Sequence, residues 1–253
     1  MKNTITACAI GLAVLAVLLN GAIGLSASED NSTLKTFSTA EKATSMKIGG
    51  GNKQGMGAGD SGVVVIQNKV TFGKAGKVTN NSRIDNSTGK AGAGNTVHLG
   101  TISIKDVIID GKVSNEAKIR NSENIAIGED SVATMGSVSI TGGAIGKSGM
   151  VSNKTTIDSS RNMAMGKSNT AGMGAVIMNT AKVDGKVENR SQVDTATNIT
   201  KGENNTAGVG TTTLHNSKLG KGGTLLNTSD TRKSANIGIG INNKTHAGAV
   251  QVE

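Results

Sequence analysis

From Gly111 to Arg120 the chain alternates strictly. Val113, Asn115, Ala117 and Ile119 fall on one side, and Lys112, Ser114, Glu116, Lys118 and Arg120 on the other. Period two predicts a half-buried β-strand. The same inward set returns as Val78, Asn80, Ser82, Ile84, then Val151, Asn153, Thr155, Ile157, then Val187, Asn189, Ser191, Val193. The opening Gly-x-Val-x-Asn starts at Gly76, Gly111, Gly149 and Gly185, with a weaker copy at Gly223, in steps of 35, 38, 36 and 38 residues. A second block follows at matching offsets, Asn124-Ile-Ala-Ile-Gly128, Asn162-Met-Ala-Met-Gly166, Asn198-Ile-Thr-Lys-Gly202 and Asn236-Ile-Gly-Ile-Gly240. A third closes each unit, as in Gly100-Thr-Ile-Ser-Ile104 and Gly136-Ser-Val-Ser-Ile140. The frequent Gly and the abundance of Val, Ile, Thr and Asn disfavour helix. Each unit is predicted to hold about three short strands separated by Gly and Asn turns.

Repeats of this length signal a stack in which no unit can bury its apolar face alone. The expected fold class is all-β: a β-solenoid or stacked β-arch, cross-β in character, of about 36–38 residues per unit. If the units lie as parallel, in-register layers about 4.8 Å apart, each template position becomes a column of like residues. Inward apolar columns are then Val78, Val113, Val151, Val187 and Ile84, Ile119, Ile157, Val193. A buried Asn is costly unless its amide is hydrogen-bonded, and a column of asparagines meets that need by bonding each amide to the next. Asn80, Asn115, Asn153, Asn189 and Asn227 fit such a ladder, between inward Val and Ile. Asn124, Asn162, Asn198 and Asn236 fit it equally well as they fit turn positions.

Charges give an independent check, because like charges opposite one another destabilise strand pairing. One column reads Asp85, Arg120, Asp158, Asp194, Arg232, a second Glu129, Lys167, Glu203, and a third Glu116, Lys154, Arg190. Signs largely alternate. The exceptions, Asp158 over Asp194, Lys154 over Arg190 and Lys77 over Lys112, are expected at solvent-exposed edges.

The chain opens with Lys2, an apolar run from Ala9 to Leu19 and small residues near Ala27, which predicts a secretory leader over 1–27. The run is shorter than the roughly 20 residues a spanning helix needs. Residues 28–45 are expected as a flexible N-terminal arm, 46–75 as a degenerate capping repeat, and 76–253 as five β-repeats with no evident cap after them. The sole cysteine, Cys8, lies in the leader, so the mature chain is expected to carry no disulfide or thiol chemistry. Removing the leader leaves 26 basic against 18 acidic residues, a net charge of +8. That favours solubility and weak attraction to polyanions. Two Phe and no Trp or Tyr exclude base-stacking recognition, so no specific nucleic acid is expected as a partner. With 36 Gly and so few aromatics, a core of large side chains is excluded too.

Candidate chemistry is sparse. Gly57-Ala-Gly59-Asp-Ser-Gly62 has the G-x-G-x-x-G form but precedes a strand instead of following one. Thr141-Gly-Gly-Ala-Ile-Gly-Lys147-Ser148 is one residue short of a P-loop and sits between repeat blocks. His98, His215 and His246 have no ligand partner at metal-binding spacing and are expected to face solvent. No catalytic set stands out, so no enzyme activity, cofactor or metal is expected.

Asn124-Ile-Ala-Ile-Gly128, followed by Ser131 and Ser137-Val-Ser-Ile140, resembles the repeat of Fap-type functional amyloid subunits of bacterial biofilms, and more distantly the curli type. The resemblance covers about residues 76–252 and implies a secreted structural protein that polymerises with itself, assisted by an outer-membrane exporter or nucleator. The same residues are similar to the head repeat of trimeric autotransporter adhesins. That resemblance implies the alternative of a non-polymerising solenoid adhesin that binds polysaccharide or a host surface. Thr211-Thr-Thr213 alone suggests an ice- or mineral-binding face, and the other units do not continue it.

Overall fold

The computed structural model describes residues 76–91, 96–130 and 132–252, together with Lys74 and, as backbone register only, seven strands nearer the N-terminus. The protein is a β-solenoid built from parallel stacked sheets, with no helix among the described residues. Each repeat makes one full coil. The coil beginning at Lys112 holds five strands, not the three expected: Lys112–Arg120, Glu123–Glu129, Val132–Met135, Val138–Thr141 and Ala144–Ile145. Each strand pairs in parallel with its counterpart one repeat away, so that Asn115 stands against Asn80 and Asn153.

The extra strands escape sequence reading because most corners turn on a single residue with positive φ. After the first strand it is Asn86, Asn121, Ser159, Thr195 or Lys233; after the second it is Asp130, Ser168, Asn204 or Asn242. These residues share no type, and one residue in the left-handed region suffices to redirect a strand. Only the corner between third and fourth strands is uniformly glycine, at Gly100, Gly136, Gly174, Gly210 and Gly248, with φ near 60° (60, 59, 61, 61 and 62). A Cβ on Gly136 would lie 2.2 Å from Thr155 Cγ2.

Inside the coil the core has three parts. Val78, Val113, Val151 and Val187 of the first strand pack on Ile102, Ile104, Val138, Ile140, Val176 and Met178 of the fourth. Ile84, Ile119, Ile157 and Val193 pack on Leu99, Met135, Met173 and Val209 of the third. Ala126 and Ala164 of the second strand cluster with Ala133 and Ala171 of the third. Alanine there lets two backbones come together, which accounts for how the fold closes without aromatics.

The stack also begins earlier than expected. Thr33–Glu41, inside the stretch read as a flexible arm, is a strand in register with Lys77–Asp85. Thr44–Lys47, Val64–Ile66 and Thr71–Phe72 continue that coil. The register places Leu34, Thr36, Ser38 and Ala40 beneath Val78, Asn80, Ser82 and Ile84. The alternation is thus kept although the Val-x-Asn signature is lost. Val14–Val17 and Ile23–Leu25, within the expected leader, pair with Thr33–Glu41 and Val64–Ile66. The G-x-G-x-x-G at 57–62 lies outside the described residues.

Candidate functional site: the stacking columns

The asparagines form two continuous hydrogen-bonded ladders. In the first, Asn80 Nδ2 donates to Asn115 Oδ1 (2.8 Å), Asn115 to Asn153 (2.9 Å), Asn153 to Asn189 (2.9 Å) and Asn189 to Asn227 (2.8 Å). In the second, Asn124 donates to Asn162 (3.0 Å), Asn162 to Asn198 (2.9 Å) and Asn198 to Asn236 (3.0 Å). The second set are therefore strand residues, and the turn positions belong to the single-residue corners. Asn115, Asn124, Asn153, Asn162, Asn189 and Asn198 are completely buried.

The ladders have a direction, and backbone carbonyls set it. Asn115, Asn153, Asn189 and Asn227 also donate to the carbonyls of Gly100, Gly136, Gly174 and Gly210 at the glycine corner. Asn124, Asn162, Asn198 and Asn236 donate to the third-strand carbonyls of Thr134, Gly172, Gly208 and His246. A carbonyl only accepts, so Nδ2 must face it and Oδ1 is left for the neighbouring coil. The first ladder is thus a polar seam between two apolar clusters. It satisfies carbonyls that the corner would otherwise strand in the core, each worth about 1–3 kcal/mol if left unmade.

Glycine at the end of the second block has an equally direct reason. Gly128, Gly166, Gly202 and Gly240 have φ of 123, 129, 127 and 123°. A Cβ at Gly166 would stand 1.9 Å from the Gly128 carbonyl oxygen, and one at Gly202 1.8 Å from that of Gly166. The backbones of successive coils touch here.

The charged columns stand in register, Arg120 against Asp85 and Asp158, Asp158 against Asp194, Asp194 against Arg232, and Glu129 and Glu203 on either side of Lys167. Coil-to-coil ion pairs form at Glu116–Lys154 (3.1 Å) and Glu123–Arg161 (3.5 Å). The like-charge positions fall in the middle coils of the stack but on its outer face, where Lys154, Arg190 and Lys112 are exposed, and neighbours along the strand relieve Arg190, Asp158 and Asp194. Arg190, over Lys154, turns to Glu188 at 2.6 Å, and Lys186 approaches the same carboxylate at 3.6 Å. The Arg190 hydrogen bond, reinforced by the positive charge of Lys186, holds the Glu188 carboxyl below its usual range. Asp158 and Asp194 each accept a hydroxyl from the next residue, Ser159 or Thr195, at 3.1 Å.

Two further ladders went unnoticed in the sequence. Ser87 N donates to Ser122 Oγ and Ser122 N to Ser160 Oγ, while Asn169 N donates to Asn205 Oδ1 and Asn205 N to Asn243 Oδ1. Their signal is a constant offset: two residues after the charged column at Asp85, Arg120 and Asp158, and seven after Asn162, Asn198 and Asn236.

His98 does not face solvent. It is buried in the third strand, hydrogen-bonded to Thr134 of the coil above, and burial pushes its pKa down to about 4. The third strand is covered on both faces, as the buried Ala133, Thr134 and Met135 show, so period two cannot tell its outside from its inside. The P-loop-like stretch is a coil corner followed by the strand Ala144–Ile145, with no helix to receive a phosphate. Among the described residues no group of His, Cys, Asp and Glu is placed to hold a metal ion.

The described stack ends on the coil Thr224–Val252. It pairs with the coil below through bonds such as Thr224 N to Gly185 O (2.9 Å), and no described strand pairs with its other edge. Fold and columns together define a repeat β-solenoid with polar ladders through its core. No family model matches the chain, and no characterised protein or solved structure is significantly similar to it.

Proposed function

We propose that the protein is a secreted structural protein whose solenoids add end to end into extracellular, amyloid-like fibres of a biofilm matrix or cell surface. The carrying observation is the last coil. It continues four of the five sheets beneath it in register, yet its far edge is unpaired among the described residues. Asn227 and Asn236 are the last described members of the ladders, each accepting from the coil below, and Leu225 is only half-buried where Val187 is fully so. An unpaired parallel edge with in-register columns is a template for another strand set of the same kind.

The first coil supplies a counterpart. Placed over the last coil in register, Thr33–Glu41 sets Leu34 over Leu225, Ser38 over Ser229 and Glu41 over Arg232. On this reading residues 1–27 are removed on export, which uncovers the edges of Thr33–Glu41 and Val64–Ile66. The partner is the protein itself, with an exporter or nucleator of the outer membrane assisting. No catalysis and no cofactor enter the proposal.

The test is negative-stain microscopy and fibre diffraction of the chain beginning at Ser28. Unbranched filaments with a meridional reflection near 4.8 Å support the proposal. A chain that stays monomeric through prolonged incubation contradicts it.

One observation favours adhesion as a second reading. On the outer face of the first sheet Lys77 stacks on Lys112 and Arg83 on Lys118, beside Arg120. A stable monomer with saturable, salt-sensitive binding to an acidic polysaccharide would make this the better account.

A further inference from the structure

The outer faces of the first and second sheets differ in kind. Outward positions of the first strand carry Lys112, Ser114, Glu116, Lys118 and Arg120. Outward positions of the second carry, column by column, Ile125, Met163, Ile199, Ile237 and Ile127, Met165, Lys201, Ile239. Ile127 and Ile239 are each 50% exposed and Ile237 37%. The others, Lys201 apart, are half-buried. An apolar stripe through four coils, interrupted only at Lys201 in one of its two columns, is unusual on a solvated surface.

We infer that this stripe is the face by which two copies of the chain pack side by side, sheet against sheet. Three features argue for a second copy over any other occupant. The side chains recur once per coil, about every 4.8 Å along the axis, and a second stack presents the same spacing. The stripe is two columns wide and bordered by charges of both signs, which suits a narrow, matching face better than a lipid surface. The bordering charges also complement themselves. One border holds Glu123 and Arg161, the other Glu129, Lys167 and Glu203.

When two stacks running the same way face each other, each border meets the opposite border of its partner. With coils level, Glu123 meets Glu129 and Arg161 meets Lys167, both like pairs. Displaced by one coil, Glu123 meets Lys167, Arg161 meets Glu203 and Glu129 meets Arg161, all opposite pairs. The two copies therefore pack with a stagger of one coil.

The inference goes beyond end-to-end growth and does not require it, because the stripe is present in each chain. The test is a double substitution, Ile127→Gln with Met165→Gln. Lys201 already occupies this column, so a long polar side chain is compatible with the strand. The readout is mass per unit length of filaments by scanning transmission microscopy, and sedimentation equilibrium for any chain that does not form filaments. Paired wild-type filaments, with mass per length halved in the double variant and the β-sheet circular dichroism unchanged, are expected. In soluble chains the corresponding result is a wild-type dimer that becomes a monomer. Wild-type filaments of single mass per length overturn the inference while leaving axial growth standing. So do a variant that stays paired and a monomer that binds phosphatidylcholine–phosphatidylglycerol vesicles through this face.

Discussion

The coil from Met150 to Val183 and the coil from Thr224 to Val252 carry the same template and pair in the same way, but only the first is a finished layer. Val151, Asn153, Ile157, Asn162 and Ala164 are fully buried, whereas their counterparts Leu225, Asn227 and Asn236 are half-buried and Thr231 and Gly238 exposed. At Leu225, Asn227 and Asn236 the chemistry barely changes, and what changes is the presence of a coil above; at Thr231 and Gly238 the side chain is more polar or absent as well. In a stack of this kind burial belongs to the interface between layers, so stability is nearly a sum of neighbour terms and the last layer is always the weakest.

Substitutions that act between layers should therefore separate the two coils. The largest effect is expected from Gly166→Ala, whose Cβ would strike the Gly128 carbonyl with both coils held from above and below. We expect a loss of at least about 3 kcal/mol in denaturant unfolding. Gly240→Ala makes a similar clash, at 2.0 Å from the Gly202 oxygen, but the last coil can detach locally. Its signature is faster amide exchange over Ala235–Ile241 with little change in the global midpoint.

Acid tests a coil nearer the other end of the stack. His98 has its folded pKa lowered from 6.5 to about 4, so above pH 6.5 its neutrality costs nothing. As pH falls from 6.5 toward 4 the unfolded chain takes up a proton that the folded chain refuses. Stability should fall by up to about 3 kcal/mol over that window. Comparing stability of the wild type and His98→Gln from pH 7 to 4 isolates this loss, which the variant should lack.

Asn153→Ala should cost about 2–3 kcal/mol, because it interrupts the ladder, takes from the buried Asn189 Oδ1 its donor and from the Asn115 amide its acceptor in the next coil. Asn227→Ala should cost about 1 kcal/mol, as only one side of that asparagine is engaged by another coil. Equal losses at the two sites would show that the ladder does not act between layers. At the small end, Lys154→Ala removes an exposed pair with Glu116 and should change stability by less than about 0.5 kcal/mol.

How much of this was legible in the sequence follows from the same distinction. Columns were legible because a stack demands the same residue type at the same offset, and Val113, Asn115, Ile119 and Gly128 all meet that demand. Strand number was not, because a corner needs one left-handed residue of almost any kind, and Asn121, Ser159, Thr195 and Lys233 share no signature. The coil at Thr33–Lys47 was missed because alternation survives there without Val-x-Asn. Charge columns were legible as register, and one of them as the ion pair Glu116–Lys154, but not throughout, since long side chains such as Arg190 choose partners two residues along their own strand.

The central claim is that the free edge of the last coil templates the next subunit. In a parallel sheet alternate residues bond to opposite neighbours. Thr224 bonds downward, so Leu225, Ser229 and Thr231 direct their backbone groups at the open edge. Proline at such an edge position is tolerated by the strand and removes the donor an incoming strand would use. Thr231→Pro should leave the monomer's circular dichroism and unfolding midpoint nearly unchanged and abolish elongation from wild-type seeds, followed by thioflavin fluorescence and microscopy. Elongation of Thr231→Pro at the wild-type rate would contradict the account.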